Sequence, residues 1–143
     1  MKVRIKKLNE NAVIPKYAMH GDAGMDLTAV SMELDAYGNI CYGTGLAFEI
    51  PEGYVGLIFP RSSICKKQLL LSNSVGVIDS GFRGEVTMKF KRTYIHGTHF
   101  DIYKVGERIG QIIILPYPSI EFEEVQELSK TERDTGGYGS TGE

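Results

Sequence analysis

Glu85-Val86-Thr87-Met88-Lys89-Phe90-Lys91 sets an apolar side chain at every second position. That is the period of a β-strand with one buried face. Lys2-Val3-Arg4-Ile5-Lys6 repeats it near the start of the chain. Tyr54-Val55-Gly56-Leu57-Ile58-Phe59 and Gln111-Ile112-Ile113-Ile114-Leu115 are short apolar runs rich in β-branched or aromatic residues, again of strand length. Turn signals separate these runs: Tyr37-Gly38-Asn39, Pro51-Glu52-Gly53, Asp79-Ser80-Gly81 and Lys104-Val105-Gly106-Glu107. Many short strands with regular punctuation predict an all-β fold, a jelly-roll sandwich or small barrel. One segment, Ser62-Ser63-Ile64-Cys65-Lys66-Lys67, suits a turn or two of helix with serine as its N-cap. Residues 134–143 are polar and glycine-rich, with no core residue except Tyr138. The chain therefore divides into a β domain over 1–130 and a flexible tail over 131–143.

The whole is the size of one domain, 143 residues, with 42% hydrophobic residues to fill one core. A net charge of -2 gives no broad basic surface for nucleic acid or an anionic membrane. A nucleotide-like ligand would need a local pocket. Cys41 and Cys65 lack metal-site spacing and read as reduced thiols. No signal-peptide pattern and no apolar run of membrane-spanning length occurs, so a soluble, cytoplasmic protein is expected.

Several segments could carry chemistry, and each has a plain structural alternative. In the tail, Arg133 offers a planar fork for phosphate, glycines allow close approach to an anion, and Tyr138 could stack on a base. The alternative is a disordered terminus. Pro60-Arg61-Ser62-Ser63 follows an apolar strand, where a helix start would present free N–H groups to phosphate. The alternative is a capped helix beside a surface arginine. The stretch from Asn73 through Val77 and Asp79 to Gly84 reads as a hairpin. Its tip could read the edge of a base while Asp79 serves as general base, or Asp79 could merely shape the turn. Asp26, in Ala23-Gly24-Met25-Asp26-Leu27, could serve Mg²⁺ or cap a turn. Gly106-Glu107-Arg108-Ile109-Gly110-Gln111 opens a strand with polar side chains or forms a surface hairpin. His96-Gly97-Thr98-His99 lacks a third zinc ligand.

The order of these segments is more informative than any one of them. AGMDL, PRSS, NSVGVIDSGFRG, GERIGQ and RDTGGYGSTG, from residue 23 to the C-terminus, closely resemble the ordered motifs of the trimeric dUTPase family. The resemblance implies a jelly-roll subunit and a homotrimer whose active sites draw on all the chains, with the tail closing over a shared site. It implies hydrolysis of dUTP to dUMP and pyrophosphate, which limits uracil in DNA and supplies dUMP for dTMP synthesis. It implies that Asp79 activates the water attacking the α-phosphorus in line, and that Asp26 holds Mg²⁺ through its water shell. By the same resemblance Arg61, Ser62, Ser63 and Gln111 hold the phosphates. Asn73 and the backbone of Gly76, Val77, Ile78 and Asp79 recognise uracil. Arg133 grips the terminal phosphate, Tyr138 covers the base, and Gly139 and Ser140 add phosphate contacts.

The chain departs from the family pattern in places. Phe82 stands where tyrosine is usual; its ring keeps the steric face that excludes a ribose 2′-hydroxyl. Tyr138 replaces a commoner phenylalanine and can still stack. Asp134 replaces a commoner glycine and adds negative charge beside Arg133. The dCTP deaminase family, including bifunctional deaminase–dUTPases, shares the fold and an arginine-serine-serine segment. Its glutamate proton shuttle falls where this chain has Lys89, and a further arginine is replaced by Lys66. A lysine is a poor carboxylate substitute at neutral pH. A nucleotide-binding module without turnover is the alternative of another class.

Overall fold

The structure is a computed structural model that describes residues 1–93 and 101–137. Its strands are β1 (Arg4–Lys7), β2 (Met25–Thr28), β3 (Ser31–Leu34), β4 (Ile40–Gly43), β5 (Leu46–Glu49), β6 (Tyr54–Phe59), β7 (Leu69–Leu71), β8 (Gly76–Ile78), β9 (Thr87–Arg92) and β10 (Arg108–Pro116). A short 3-10 helix spans Ser62–Lys66. One sheet has the order β2-β10-β6-β8, a second β3-β4-β9-β7, and β1 pairs with β5. Every pairing is antiparallel. The fold is the all-β, jelly-roll type that the strand pattern predicts.

The alternation over 85–91 does what its period demands. Val86, Met88 and Phe90 are buried, while Thr87, Lys89 and Lys91 are exposed. Phe90 packs edge-on against Tyr42 at a centroid distance of 5.8 Å, and Tyr103 completes an aromatic trio in the core. Leu27, Ile58, Ile109 and Ile112 cover this trio's surroundings from the other sheet. Together these residues fix the spacing of the two sheets.

The apolar runs behave differently. In β6, Gly56 and Ile58 are buried, but Val55, Leu57 and Phe59 are only half-buried. Beside them Val77 is 60% exposed and Leu115 44% exposed. The outer face of this sheet is therefore apolar and open on a single chain. A strand apolar on both faces belongs where both faces are covered. After β10 the described residues carry no strand or helix, and Ile120, Phe122, Val125 and Leu128 are exposed.

Two local expectations are corrected. Arg61, not a serine, occupies the N-cap position, and it makes no side-chain capping bond. Lys67 N–H to the Ile64 carbonyl and Ile64 N–H to the Arg61 carbonyl keep the segment in the tight 3-10 form. The stretch around Asp79 is also not a two-stranded hairpin. β8 pairs with β6, whereas β9 pairs with β4 and β7 in the other sheet. The chain crosses between sheets at this turn, because Val86, Met88 and Phe90 find their buried face over there.

Candidate active site

Asp26, Gln111 and Phe59 form one rung across three strands. Gln111 lies opposite Asp26 of β2 and opposite Phe59 of β6. Directly opposed residues share a face, so both polar side chains point outward, away from the core. Two residues beyond Phe59, Arg61 turns back over the rung. Its Nε donates to Asp26 Oδ1 at 2.7 Å, and Arg108 donates to Asp26 Oδ2 at 3.0 Å. The Gln111 amide donates to the Pro60 carbonyl at 3.0 Å. A Cβ on Gly24 would collide with Gln111 Oε1, so only glycine leaves that carboxamide its place. Asp26, Arg61, Ser62, Arg108 and Gln111 thus line one cleft of about 370 Å³. Ser63 lies beside it, its hydroxyl 3.5 Å from an Arg61 nitrogen.

The 3-10 helix is too short for a strong dipole, so the side chains of this segment carry its capacity for an anion. Its far end is tied down by Lys67, whose ammonium lies 2.8 Å from Asp101 and 5.2 Å over the Tyr103 ring. The Asp101 carboxylate raises the Lys67 pKa above that of an ordinary lysine.

Asp79 lies elsewhere. Ile78 is opposite Gly56, so continuing the register puts Asp79 level with Val55. That is roughly 13 Å along the strands from the Phe59 rung, at about 3.3 Å per residue. From β2 to β8 there are also three inter-strand steps, about 14 Å. The two groups are separated by on the order of 20 Å, far beyond the reach a base and a phosphate clamp need to serve one phosphoryl group. The turn after β8 is closed by the backbone, Phe82 N–H to the Asp79 carbonyl at 3.0 Å, and by Arg83 donating to the Ser80 carbonyl. The Asp79 carboxylate is exposed, and the bonds that close the turn use the backbone carbonyls of Asp79 and Ser80. Phe82 is 42% exposed beside it, and its ring occupies the space a Cβ on Gly84 would need.

Asn73 is exposed in the turn before β8, where Ser74 takes a φ of 62°. Gly76 packs flat on Ile58: a Cβ there would approach the Ile58 Cβ to 3.0 Å. Val77 and Ile78 follow it along the edge of the sheet. Arg133 closes a turn on itself, donating to the Gly136 carbonyl at 3.0 Å. Asp134 in that turn has a φ of 43°, the left-handed region that explains why glycine suits the position. Tyr138, Gly139 and Ser140 lie outside the described residues, as do His96 and His99.

The dUTPase family pattern matches residues 10–142. The chain belongs to the dUTPase family. Among its relatives in that family, deoxyuridine 5'-triphosphate nucleotidohydrolases of Nautilia profundicola and Hydrogenobaculum sp. are 43% and 41% identical, each alignment covering 99% of both chains. The dUTPase of Staphylococcus bacteriophage 80alpha, solved with dUPNHPP, superposes with a TM-score of 0.80 at 28% identity, over 99% of this chain and 98% of that one. The dUTPase of S. aureus phage phi11, described with a structural Mg(II) ion, gives 0.74 at 26% identity, over 89% and 98%. Among the described residues, the AGMDL, PRSS and GERIGQ motifs thus meet at one cleft while Asp79 lies at a separate part of the chain. The sequence pattern by itself gives Arg108 no role, although it lies in the GERIGQ motif. A signal for it exists: Ile109 and Ile112 are both core-type residues at a spacing that no regular strand buries on one face.

Proposed function

We propose that this chain hydrolyses dUTP to dUMP and pyrophosphate, limiting uracil in DNA and supplying dUMP for dTMP synthesis. The observation that carries this reading is the cleft where Arg61, Ser62 and Gln111 surround a carboxylate already satisfied by two guanidinium groups. Such a cleft has donors to spare for a phosphate chain. Water attacks the α-phosphorus as Asp79 takes its proton, and the bond from that phosphorus to the α–β bridging oxygen breaks. Asn73 and the backbone of Gly76 to Asp79 read the uracil edge. Phe82 lies against the sugar. Arg133, Tyr138, Gly139 and Ser140 close over the substrate from the tail, the 131–143 unit beyond the 1–130 domain.

Mg²⁺ suits the donor set only through water. Among the described residues no group of three His, Cys, Asp or Glu side chains could hold a metal ion directly. Each Asp26 oxygen accepts one guanidinium N–H, leaving a lone pair for a metal-bound water. When bound, the ion supplies neutralisation of the charge that develops on the leaving pyrophosphate.

A homotrimer with shared sites accounts for three features together. The phosphate cleft and Asp79 are far apart on one chain. The outer face with Val55, Leu57, Phe59 and Val77 is apolar and open. Ile120, Phe122, Val125 and Leu128 extend exposed beyond the last strand. Packing chain against chain covers the apolar surfaces and brings the half-sites together. Both cysteines are unpaired, which suits a cytoplasmic location. No helix among the described residues is long and apolar enough to cross a membrane.

Deamination is disfavoured by Lys89. It points outward from the sheet opposite the Asp26 rung and pairs with Asp35 at 3.3 Å. The Asp35 carboxylate raises the Lys89 pKa, keeping it charged and unable to act as a carboxylate-like shuttle. The test is a panel of dUTP, dCTP, dTTP and UTP with Mg²⁺, reading pyrophosphate and ammonia together. Pyrophosphate from dUTP alone is expected. Ammonia from dCTP would establish deamination, and silence on all four would leave a binding module.

Two variants probe individual contacts. Gly24→Ala forces the Gln111 carboxamide off the cleft and should cost about tenfold in kcat/KM, the scale of one hydrogen bond to a charged group. Steady-state kinetics on dUTP check it, with an unchanged value removing Gln111 from phosphate binding. Phe82→Ala should relax the rejection of UTP relative to dUTP. An unaltered ratio of kcat/KM values would assign sugar reading to another residue.

A further inference from the structure

We infer that Arg108 is a second phosphate-binding arginine, set beside Arg61 by their common partner Asp26; this rests on the reading of the cleft as a phosphate site. The first support is the path of β10. Its register against β2 shifts between Arg108 and Gly110, with Ile109 as the extra residue. A bulge of this kind re-aims the side chains around it. In a regular strand Arg108 and Gln111 would lie on opposite faces. With the bulge, Ile109 and Ile112 are both fully buried while Arg108 and Gln111 both face outward into the cleft. Gly110 is what permits this, because a Cβ there would meet the Met88 side chain and come within 2.9 Å of the Phe59 carbonyl.

The second support is the use of donors. Asp26 spends one oxygen on each arginine. Arg108 gives one terminal nitrogen to that carboxylate, and a guanidinium carries five N–H donors. Its side chain is 56% exposed, so the remaining donors are open to the cleft. The bulge buries Ile109 and Ile112, but a surface salt bridge of this exposure contributes little to stability, so the pairing with Asp26 alone does not account for an arginine at this outward position. An anion spanning the two guanidinium groups would use the open donors. Asp26 keeps the two cations from repelling one another in the meantime.

The test is a cycle on the full-length protein: the parent, Arg108→Gln, Arg61→Gln and the double variant. The probes are a non-hydrolysable dUTP analogue and dUMP, with affinity read by calorimetry. Thermal melting checks that each variant is folded. Arg108→Gln is expected to weaken the triphosphate analogue by roughly ten- to a hundredfold, with a smaller loss for dUMP. It should weaken the analogue further in the Arg61→Gln background. Equal affinity of parent and Arg108→Gln for the analogue would overturn the inference. So would a loss that vanishes once Arg61 is gone, since Arg108 would then be only a strut for Arg61. A parent that binds neither nucleotide would instead sink the dUTP reading itself, and a dUTP-binding parent separates the two failures.

Discussion

Asp79→Asn is expected to lower kcat on dUTP by about a hundredfold or more while leaving substrate affinity nearly intact, the scale of lost general-base help. Asparagine has the same shape and still presents an oxygen, but it cannot take a proton from water. The structure makes this substitution clean. The carboxylate is exposed, and the turn around it is held by the Phe82 N–H and by Arg83. Loss of the charge therefore removes no bond that shapes the fold, and the melting temperature should stay put. The measurement is kcat and KM for dUTP beside a binding constant for a non-hydrolysable analogue. A kcat equal to that of the parent would take Asp79 out of the mechanism. A collapse of affinity with kcat retained would make it a binding group instead.

How much of this was legible beforehand depends on whether the cause is local. The alternation over 85–91 foretells which side chains of β9 are buried, because pleating alone dictates it. β6 matches the apolar run from Tyr54 to Phe59 end to end. Pro51-Glu52-Gly53 starts it with a turn, Gly53 taking a φ of 79°, and Pro60 stops it. Pairing was not legible. β8 joins β6 and not β9, since register is a contest among distant strands that no short window records. The short helix at Ser62–Lys66 was legible but its cap was not: the seryl residues fit an N-cap by type, whereas Arg61 takes that position in extended form as the chain leaves β6. Of the candidate site, the polar residues that line the cleft were legible as types. Their gathering around Asp26 was not, because the bulge at Ile109 aims Arg108 and is visible only as an awkward spacing of two isoleucines.

Mixing two inactive variants should restore activity, and this is the strongest consequence of the separation of Asp79 from Arg61. Arg61→Gln removes a phosphate donor but keeps Asp79. Asp79→Asn removes the base but keeps the cleft. Asp26 retains Arg108 as a partner when Arg61 is lost, so that variant should fold. In a symmetric assembly, a site that takes Asp79 from one chain and Arg61 from another is intact when the first chain is Arg61→Gln and the second is Asp79→Asn. With equal amounts and random exchange, about a quarter of the sites meet that condition. Co-refolding the two variants should therefore raise activity from near nothing to about a quarter of the parental value, while simple mixing without exchange should not. If one chain built a whole site, every site would carry one defect or the other, and the refolded mixture would be as inactive as its parts. The roughly 20 Å between the two groups on one chain makes that second outcome incompatible with both residues acting on one dUTP.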